Sequence, residues 1–339
     1  MKTVGQELVA GLAARGVDTV FGIPGVHTIE LYRGLPGSGI RHVTTRHEQG
    51  AAFMADGYAR VSGKPGVAFV ITGPGLTNAL TAMGQSRQDS VPVLIVSGVN
   101  RRSSLGRGLG LLHELPDQAA MVAALCPTFT VGAPETLAAT LDAVFAALGA
   151  GRPGPVHLQV PTDVMPMPCA PLPAPLPAPA RPMPDPALVA RAAAALAGAR
   201  CPVILAGGGA VRAEAGLRAL AEALDAPVVQ TANARGLMHG HPLTVPSSPS
   251  LQAVRALIAG ADQVLAVGTE FGQTDYDMYV RGGFPDVSRM IRIDVCADQL
   301  GRHPAAICLH ASADVALAAP RNGIVEIAGP EREIGRAHV

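Results

Sequence analysis

The chain lacks the features that mark several large classes of protein. It has no tryptophan, only five cysteines and 15% charged residues among 339. The formal net charge is +0, without a basic cluster or an acidic run, which argues against a nucleic-acid partner and a solvating tail. The cysteines are odd in number and have no C-x-x-C spacing. We therefore predict reduced thiols, with neither disulfides nor metal-binding residues.

Long apolar segments are missing as well. The N-terminal residues show no apolar h-region or small-residue cleavage site, and no apolar run reaches the roughly 18 residues that a membrane span needs. These absences predict a cytoplasmic protein without a membrane partner. The sequence does contain 48% hydrophobic residues, which is enough for the cores of two domains.

Two parts of the chain alternate apolar strands with helical periodicity, the pattern of doubly wound parallel sheets. In residues 1–165 the strand patterns are GVDTVFGIPG, GVAFVITG, VPVLIVSGV and GPVHLQVPTDV, with a helix predicted over 47–62. In residues 187–320 they are CPVILAGGGA, APVVQTANARG, QVLAVGTE and RMIRIDVCAD. Residues 166–186, rich in proline, predict an extended linker that joins neither a sheet interior nor a helix. The predicted fold is α/β, with two doubly wound parallel-sheet domains.

Glycine-rich turns follow three of these strands, in FGIPGVHT, ITGPGLTN and LAGGGAVR. Ligands bind at the carboxyl ends of such strands, where helix N-termini offer free N–H groups. In the third turn, Arg212 stands where a G-x-G-x-x-G dinucleotide fingerprint needs its last glycine, and tight packing explains the turn equally well. Each turn alone is a weak signal.

The order of three motifs carries more information. VFGIPG is followed by RHEQGAAFMADGYAR and then by GPGLTNALTAMGQSRQDSVPVLIVSG. This order resembles the pyrimidine-binding domain of thiamine diphosphate enzymes of the acetolactate synthase group. The motifs from CPVILAGGGA to IRIDVCADQL resemble the Rossmann-like central domain of the same family. The resemblance covers essentially the whole chain.

The resemblance implies a catalytic role for Glu48, at the start of the predicted helix. In the family, the glutamate at this position hydrogen-bonds N1′ of the aminopyrimidine, which promotes loss of the proton from C2 of the thiazolium. Taken alone, Glu48 would be a first-turn acid favoured by the helix dipole, an alternative that the motif set outweighs. The other residues implied to bind the pyrimidine half of thiamine diphosphate are Pro24, Gly25, Thr72, Gly73, Pro74, Gly75 and Asn78.

Two histidines are candidate proton carriers. In family members that join or cleave aldehydes, residues at the places of His27 and His113 face the reacting carbon, so both are predicted to be catalytic. A structural or solvated role is the ordinary alternative for each of them.

The resemblance stops at the third domain of the family, which holds magnesium and the diphosphate through G-D-G and N-N motifs. This sequence has no G-D-G. Residues 321–339 are expected to be the truncated start of a linker to that domain, with an artefactual end. The implied parent acts on a 2-oxo acid as a decarboxylase or carboligase, and this chain alone is expected to be inactive. The alternative is a non-catalytic module that pairs with a separate diphosphate-binding chain.

The sequence leaves alternatives for the substrate, for flavin binding and for the oligomeric state. LLHELPDQ and GTEFGQTDYDMY resemble a subgroup that includes 5-guanidino-2-oxopentanoate decarboxylase, in which Asp275 and Asp277 would face a cationic tail. The plainer alternative is that both are exposed loop acids. Acetolactate synthase remains an alternative, FAD in the central domain is undecided, and an NAD or FAD oxidoreductase ranks third. The resemblance implies a homodimer or homotetramer, with helix 75–88 as a candidate subunit contact.

Overall fold

The computed structural model describes residues 1–149, 151–280 and 282–317 together with Ile324. The chain divides into two compact units after Pro179. Each unit contains one sheet of six parallel strands with helices packed on both faces, which confirms the predicted fold class. Within the described residues, no helix combines the length and the apolar character that crossing a membrane requires.

The first unit alternates short strands and helices. In chain order they are β1 (Lys2–Thr3), α1 (Val4–Ala14), β2 (Thr19–Gly22), α2 (Ile29–Gly34), β3 (Arg41–Thr44), α3 (Glu48–Ser62), β4 (Gly66–Val70), α4 (Pro74–Asp89), β5 (Val93–Val99), α5 (Gln118–Ala123), β6 (Thr128–Thr130), α6 (Leu137–Gly149), β7 (Pro155–Pro161) and β8 (Pro168–Cys169). The large sheet has the order β3-β2-β4-β5-β7-β6.

Alanine spacing explains why α3 packs as it does. Its buried face consists of Ala51, Ala52, Ala55, Asp56 and Ala59, and the apolar members pack with α4 on one face of the sheet. Helices α1 and α6 cover the other face. Because both faces are covered, strands β4 and β5 are buried along their whole length and read as continuous apolar runs.

The order in which strands are added to the sheet reverses at β2. Strand β3 pairs with one edge of β2, and β4, the next strand in sequence, pairs with the opposite edge. In an open α/β sheet such a reversal leaves a crevice outside the carboxyl ends of the strands. The loops after β2 and β4, residues 23–28 and 71–73, flank this crevice.

The second unit has the same architecture. Its elements are α7 (Pro186–Gly198), β9 (Pro202–Ala206), α8 (Glu214–Leu224), β10 (Val228–Gln230), β11 (Thr244–Val245), α9 (Gln252–Ala259), β12 (Gln263–Val267), α10 (Gln273–Tyr276), β13 (Ile291–Asp294), α11 (Ala297–Leu300), β14 (Ile307–His310) and α12 (Ala313–Leu317). The sheet order is β11-β10-β9-β12-β13-β14. Numbered within the unit, this is the 3-2-1-4-5-6 order of dinucleotide-binding folds, as the Rossmann-like prediction requires.

The proline-rich tract is more structured than the sequence predicts. Pro168–Cys169 forms β8, which pairs antiparallel with β1, and Cys169 is buried. At the other end of the tract, Pro186 is the first residue of α7, with Asp185 accepting a hydrogen bond from the N–H of Ala187. The expectation that the tract avoids helices is wrong at this residue, because proline is tolerated at the first helical position.

Candidate functional site

Glu48 is the first residue of α3, and three residues separate it from the end of strand β3. The chain enters the helix through His47, whose Nδ1 accepts a hydrogen bond from the N–H of Gln49 at 3.1 Å. The Glu48 carboxylate accepts a hydrogen bond from Nδ2 of Asn78 at 3.0 Å, across from α3 to α4. Both side chains remain partly exposed. The structure therefore brings together two of the predicted cofactor-binding residues.

Two of the predicted glycines, Gly25 and Gly75, lie against the side chain of Ile71. A methyl group on Gly25 would overlap Cγ2 of Ile71. A methyl group on Gly75 would lie 2.7 Å from Cγ1 of Ile71 and 3.6 Å from Oε1 of Glu48. The missing side chain at Gly75 thus lets the start of α4 lie close against Ile71, next to the Glu48 carboxylate. Pro24 and Pro74 are exposed at the start of the loop after β2 and of α4, respectively.

Gly73 brings the His113 segment against this loop. Its backbone has φ +63°, in the left-handed region that favours glycine. A methyl group on Gly73 would overlap the carbonyl oxygen of His113 and lie 3.0 Å from its Cβ. His113 itself has φ +58°, which is uncommon for a residue with a side chain. The two segments therefore touch through their backbones.

His27 and His113 meet edge to face. Their ring centroids are 5.7 Å apart and the rings are inclined by 82°. Burial, and secondarily the charge of His113, lower the pKa of His27 below its ordinary value. His27 is consequently neutral near pH 7 and can accept or donate one proton. The structure thus joins the two histidines that the sequence separates widely.

Three buried polar atoms around these rings have no partner among the described residues. They are Nδ1 of His27, Nδ1 of His113 and Oγ1 of Thr72. Thr72 lies close to His27, since a methyl group on Gly98 would be 3.1 Å from Oγ1 of Thr72 and 2.9 Å from Cβ of His27. Buried polar groups in proteins are nearly always hydrogen-bonded. The cluster therefore indicates a position for a polar ligand.

Two side-chain amides that the sequence analysis did not single out support the site. Nδ2 of Asn100 donates to the carbonyl oxygen of Leu112 at 3.1 Å, and Oε1 of Gln118 accepts from the N–H of Gly73 at 3.0 Å. Each lies at the border between polar residues and an apolar segment, and neither belongs to a periodic pattern. Only the proline and aspartate before Gln118, which signal a helix start, could have drawn attention to it.

A glutamate organises the segment that carries His113. The Glu114 carboxylate accepts hydrogen bonds from the N–H groups of Leu109 and Leu111 at 3.1 and 2.9 Å. These backbone bonds lower the pKa of Glu114. Because the carboxylate folds the glycine-rich stretch before it, His113 is presented at the end of a defined turn.

The two acids considered for a cationic substrate are engaged within the second unit. Asp275 Oδ1 accepts from the N–H of Ala232 at 2.8 Å. Asp277 forms an ion pair with Arg255 at 3.6 Å and accepts from the N–H of Gly283 at 3.1 Å. Both are half-buried, so the alternative that they are exposed loop acids is wrong. Their hydrogen bonds hold local loops.

The third glycine turn packs tightly against a neighbouring loop. A methyl group on Gly209 would lie 2.8 Å from Cα of Gly268, at the point where the sheet order reverses between β9 and β12. Residues Gly208–Ala213 continue as a 3-10 helix. These contacts favour tight packing over a phosphate-binding loop as the reason for the glycines.

Comparison with known families matches both units. Residues 2–121 match the family described as thiamine pyrophosphate enzyme, N-terminal TPP binding domain. Residues 189–319 match the family described as thiamine pyrophosphate enzyme, central domain. Thiamine pyrophosphate and thiamine diphosphate are the same compound.

Individual relatives agree with this assignment. The chain is 49% identical over 316 residues to "Probable 2-ketoarginine decarboxylase AruI" of Pseudomonas aeruginosa, an alignment that covers 92% of this chain and 56% of that protein. It is 34% identical over 317 residues to acetolactate synthase large subunit IlvB1 of Mycobacterium tuberculosis, covering 89% and 50%. An X-ray structure from Mycobacterium smegmatis, described as that of a thiamin diphosphate-dependent enzyme, superimposes with a TM-score of 0.86 at 25% identity, covering 100% of this chain and 66% of that one. The chain thus spans about half the length of the curated relatives it matches.

Proposed function

Because the chain belongs to the thiamine pyrophosphate enzymes and carries their N-terminal and central domains, we propose that its first unit binds the aminopyrimidine half of thiamine diphosphate. The observation that carries this proposal is the half-buried Glu48 carboxylate, which Asn78 holds by a hydrogen bond next to Gly75. The unpartnered atoms of His27, Thr72 and His113 supply further polar groups for a ligand. The residues present therefore fit such a cofactor.

Within this site, Glu48 is the hydrogen-bonding partner of the aminopyrimidine N1′. Asn78 holds the carboxylate by donating to one oxygen, Oε2, while Oε1 lies on the side of Gly75. A carboxylate fixed in this way can share a proton with a ring nitrogen in a defined direction. When bound, the cofactor supplies a carbon nucleophile and an electron sink for the decarboxylation of a 2-oxo acid.

The histidine pair is proposed to carry protons near the reacting carbon. His27 is kept neutral by its burial and by the neighbouring His113, so at neutral pH it is ready to accept a proton. Each ring has a free Nδ1 inside the site and can therefore face a substrate oxygen. Glu48, His27 and His113 together form the proposed catalytic set.

The reaction class is a 2-oxo acid decarboxylation or carboligation by the complete protein. Support comes from relatives named as a 2-ketoarginine decarboxylase and as acetolactate synthases. The higher identity to the former favours a 2-oxo acid with a basic side chain as substrate. Asp275 and Asp277 do not support this preference, since both are engaged in local contacts.

The diphosphate and its Mg²⁺ are proposed to be held by protein groups outside residues 1–339, because the sequence contains no G-D-G. In this arrangement the complete enzyme is a cytoplasmic homodimer or homotetramer that builds each site from more than one domain. FAD in the central unit stays an open proposal, and the tight contact of Gly209 with Gly268 argues against a phosphate group at that turn. An absorbance spectrum of the purified protein tests for flavin.

A second candidate is a non-catalytic module that pairs with a separate diphosphate-binding chain. The chain's span of about half its relatives' length favours this candidate as much as it favours an enzyme. The two are distinguished by which reading frame carries the G-D-G and N-N motifs: the same frame for an enzyme, a separate gene for the module. Adding Mg²⁺, thiamine diphosphate and a 2-oxo acid to the chain and measuring released carbon dioxide tests both candidates together. Turnover by the chain alone would contradict both the module and the proposed external diphosphate site.

The pyrimidine site is tested by titrating 4-amino-5-hydroxymethyl-2-methylpyrimidine into the ¹⁵N-labelled chain. We expect chemical shift changes in α3 and in residues 71–78, and binding weakened by about tenfold or more in Glu48→Gln, because a charge-assisted hydrogen bond is replaced by a neutral one. Glu135→Gln is the matched control, since Glu135 is an exposed glutamate of the same unit. If the wild-type chain shows no response in these residues, the proposal fails.

A further inference from the structure

A buried amide lies behind the loop that faces the proposed cofactor position. Gln118, the first residue of α5, is only 4% exposed. Its Oε1 accepts from the N–H of Gly73, and its Nε2 lies 3.0 Å from the carbonyl oxygen of Gly98 and 3.0 Å from Oε1 of Gln159. One side chain thereby joins the loop after β4 to strands β5 and β7.

Strand side chains fix the orientation of this amide. Nε2 of Gln118 also lies 3.2 Å from Oγ of Ser97, which in turn lies 2.9 Å from Nε2 of the buried His157. Gln159 is itself held, because its Nε2 donates to Oγ1 of Thr130 at 3.0 Å. Two of the three groups facing Nε2 can only accept, since they are a carbonyl and an amide oxygen. The amide oxygen of Gln118 therefore points at Gly73.

We propose that Gln118 is a positioning residue for the cofactor-facing loop, holding the Gly73 peptide and, through it, the segment that carries His113. This inference rests on the proposed function, because the loop matters for catalysis only if it faces the cofactor. The N–H of Gly73 follows β4 and precedes α4, so it lacks a partner in either element and relies on the side chain of Gln118.

Gln118 also holds the His113 segment, the other partner in the contact with Gly73. Helix α5 begins at Gln118 and follows the His113 segment along the chain, so the amide anchors the end of that segment to β5 and β7. The His113 carbonyl packs directly on Gly73. Anchoring both partners at one point restricts how His113 can lie against His27.

A space-filling role alone does not explain such a residue. An apolar side chain of similar volume would fill the position without the cost of burying an amide, and a buried amide stabilises only when its hydrogen bonds are made. The network around Gln118 satisfies its amide and defines one orientation. The geometry accounts for an amide rather than a leucine or methionine at this position.

The test is the Gln118→Met variant, which keeps the volume and removes the hydrogen bonds. We expect hydrogen exchange of the Gly73 amide, followed by NMR, to become about tenfold faster or more. We also expect the ring signals of His27 and His113 to shift, and pyrimidine affinity to fall at least about threefold. Gln252→Met is the matched control, because Gln252 is the exposed first residue of α9.

A second variant covers the case in which Gln118→Met fails to fold. Ser97→Ala removes one of the three groups that hold Nε2 but leaves Gln118 and Gly73 in place, and faster exchange at Gly73 is again expected. Unchanged Gly73 exchange and unchanged histidine signals in a folded variant would overturn the positioning role. A wild-type chain that does not bind pyrimidine, with Gly73 still responding to the substitutions, would refute the proposed function and leave the positioning role standing.

Discussion

Gly73 shows how one residue without a side chain determines the geometry of the site. Its φ of +63° costs a side-chain-bearing residue about 1–2 kcal/mol, and a methyl group there would also overlap the His113 carbonyl oxygen. Since the obstacle is backbone rather than a flexible side chain, the loop and the His113 segment would have to separate. The close approach of these two segments therefore depends on glycine.

For this reason we predict that Gly73→Ala lowers the free energy of unfolding of the first unit by about 2–4 kcal/mol. Chemical denaturation followed by NMR measures this change. Gly84→Ala in the interior of α4 is the control, because a methyl group there meets nothing within 4 Å and should stabilise the helix by about 0.5–1 kcal/mol. Equal effects of the two substitutions would contradict the close contact.

The titration of His27 reports on its neighbour. Burial is the main reason for its lowered pKa and His113 is the second. In His113→Gln we therefore expect the pKa of His27 to rise while remaining below 6.5, measured from the imidazole Cε1–H signals across pH. The exposed His310, in the other unit, serves as control in His310→Gln, which should leave His27 unchanged.

The lowered pKa of His27 also makes the stability of the first unit depend on pH. The unfolded chain takes up a proton at His27 near pH 6.5, whereas the folded chain does so only at lower pH. The contribution of neutral His27 to the free energy of unfolding is therefore complete above pH 6.5. It is lost as the pH falls through 6.5 toward the pKa of His27 in the folded chain. An unaltered His27 titration in His113→Gln would mean that the two rings do not meet in solution.

At the scale of elements, the interior strands could be predicted and the edge strands could not. The eight strands named from the sequence are β2, β4, β5, β7, β9, β10, β12 and β13, which occupy interior positions in the two sheets. In the two six-stranded sheets, the missed strands β3, β6, β11 and β14 are the four edges. A strand covered on both faces and paired on both sides is a continuous apolar run, whereas edge strands such as Arg41–Thr44 are half-exposed and depend on tertiary pairing.

The site residues likewise fall into those that the sequence could predict and those that it could not. Glu48 and the glycine turns lie in local motifs, so the sequence could mark them. The amides of Asn100 and Gln118 act through contacts between distant segments, and nothing in their neighbours records those contacts. The meeting of His27 with His113 likewise required the sheet order to bring two loops together.

Strand β7 carries a buried histidine that should make the first unit sensitive to acid. Burial lowers the pKa of His157 to about 3, and its side chain is fully buried against Ser97. Between pH 6.5 and about 3 the unfolded state binds a proton that the folded state does not. Stability therefore decreases as the pH falls through this range, by up to about 4–5 kcal/mol in total.

We expect His157→Leu to remove most of this pH dependence. The measurement is hydrogen exchange of peptides from β7, followed by mass spectrometry in dilute urea between pH 7 and pH 4. Peptides from β13 in the second unit report any general acid effect and should behave alike in both proteins. A wild-type pH slope retained in the leucine variant would show that His157 is not the group responsible.

At the scale of the whole molecule, the proposal divides cofactor binding between two regions. The first unit binds the aminopyrimidine end, and protein groups outside residues 1–339 bind the diphosphate end. The proposed pyrimidine site lies within the first unit. No group of three His, Cys, Asp or Glu side chains suited to a metal ion occurs in the parts of the chain that the structure describes. The diphosphate carries most of the charge of thiamine diphosphate and needs Mg²⁺ with oxygen ligands to be held. A chain that binds only the uncharged aminopyrimidine end should bind the whole cofactor and its pyrimidine fragment with similar affinity.

We therefore predict that this chain binds thiamine diphosphate and 4-amino-5-hydroxymethyl-2-methylpyrimidine with affinities within about threefold of each other, and that Mg²⁺ changes neither. Isothermal titration calorimetry with and without Mg²⁺ measures both values. Adding a separately expressed protein that carries the G-D-G and N-N motifs should tighten binding of thiamine diphosphate alone, because two weak contacts on one ligand then act together. Mg²⁺-dependent, tighter binding of thiamine diphosphate by the chain alone would instead locate the diphosphate site within residues 1–339 and refute the division.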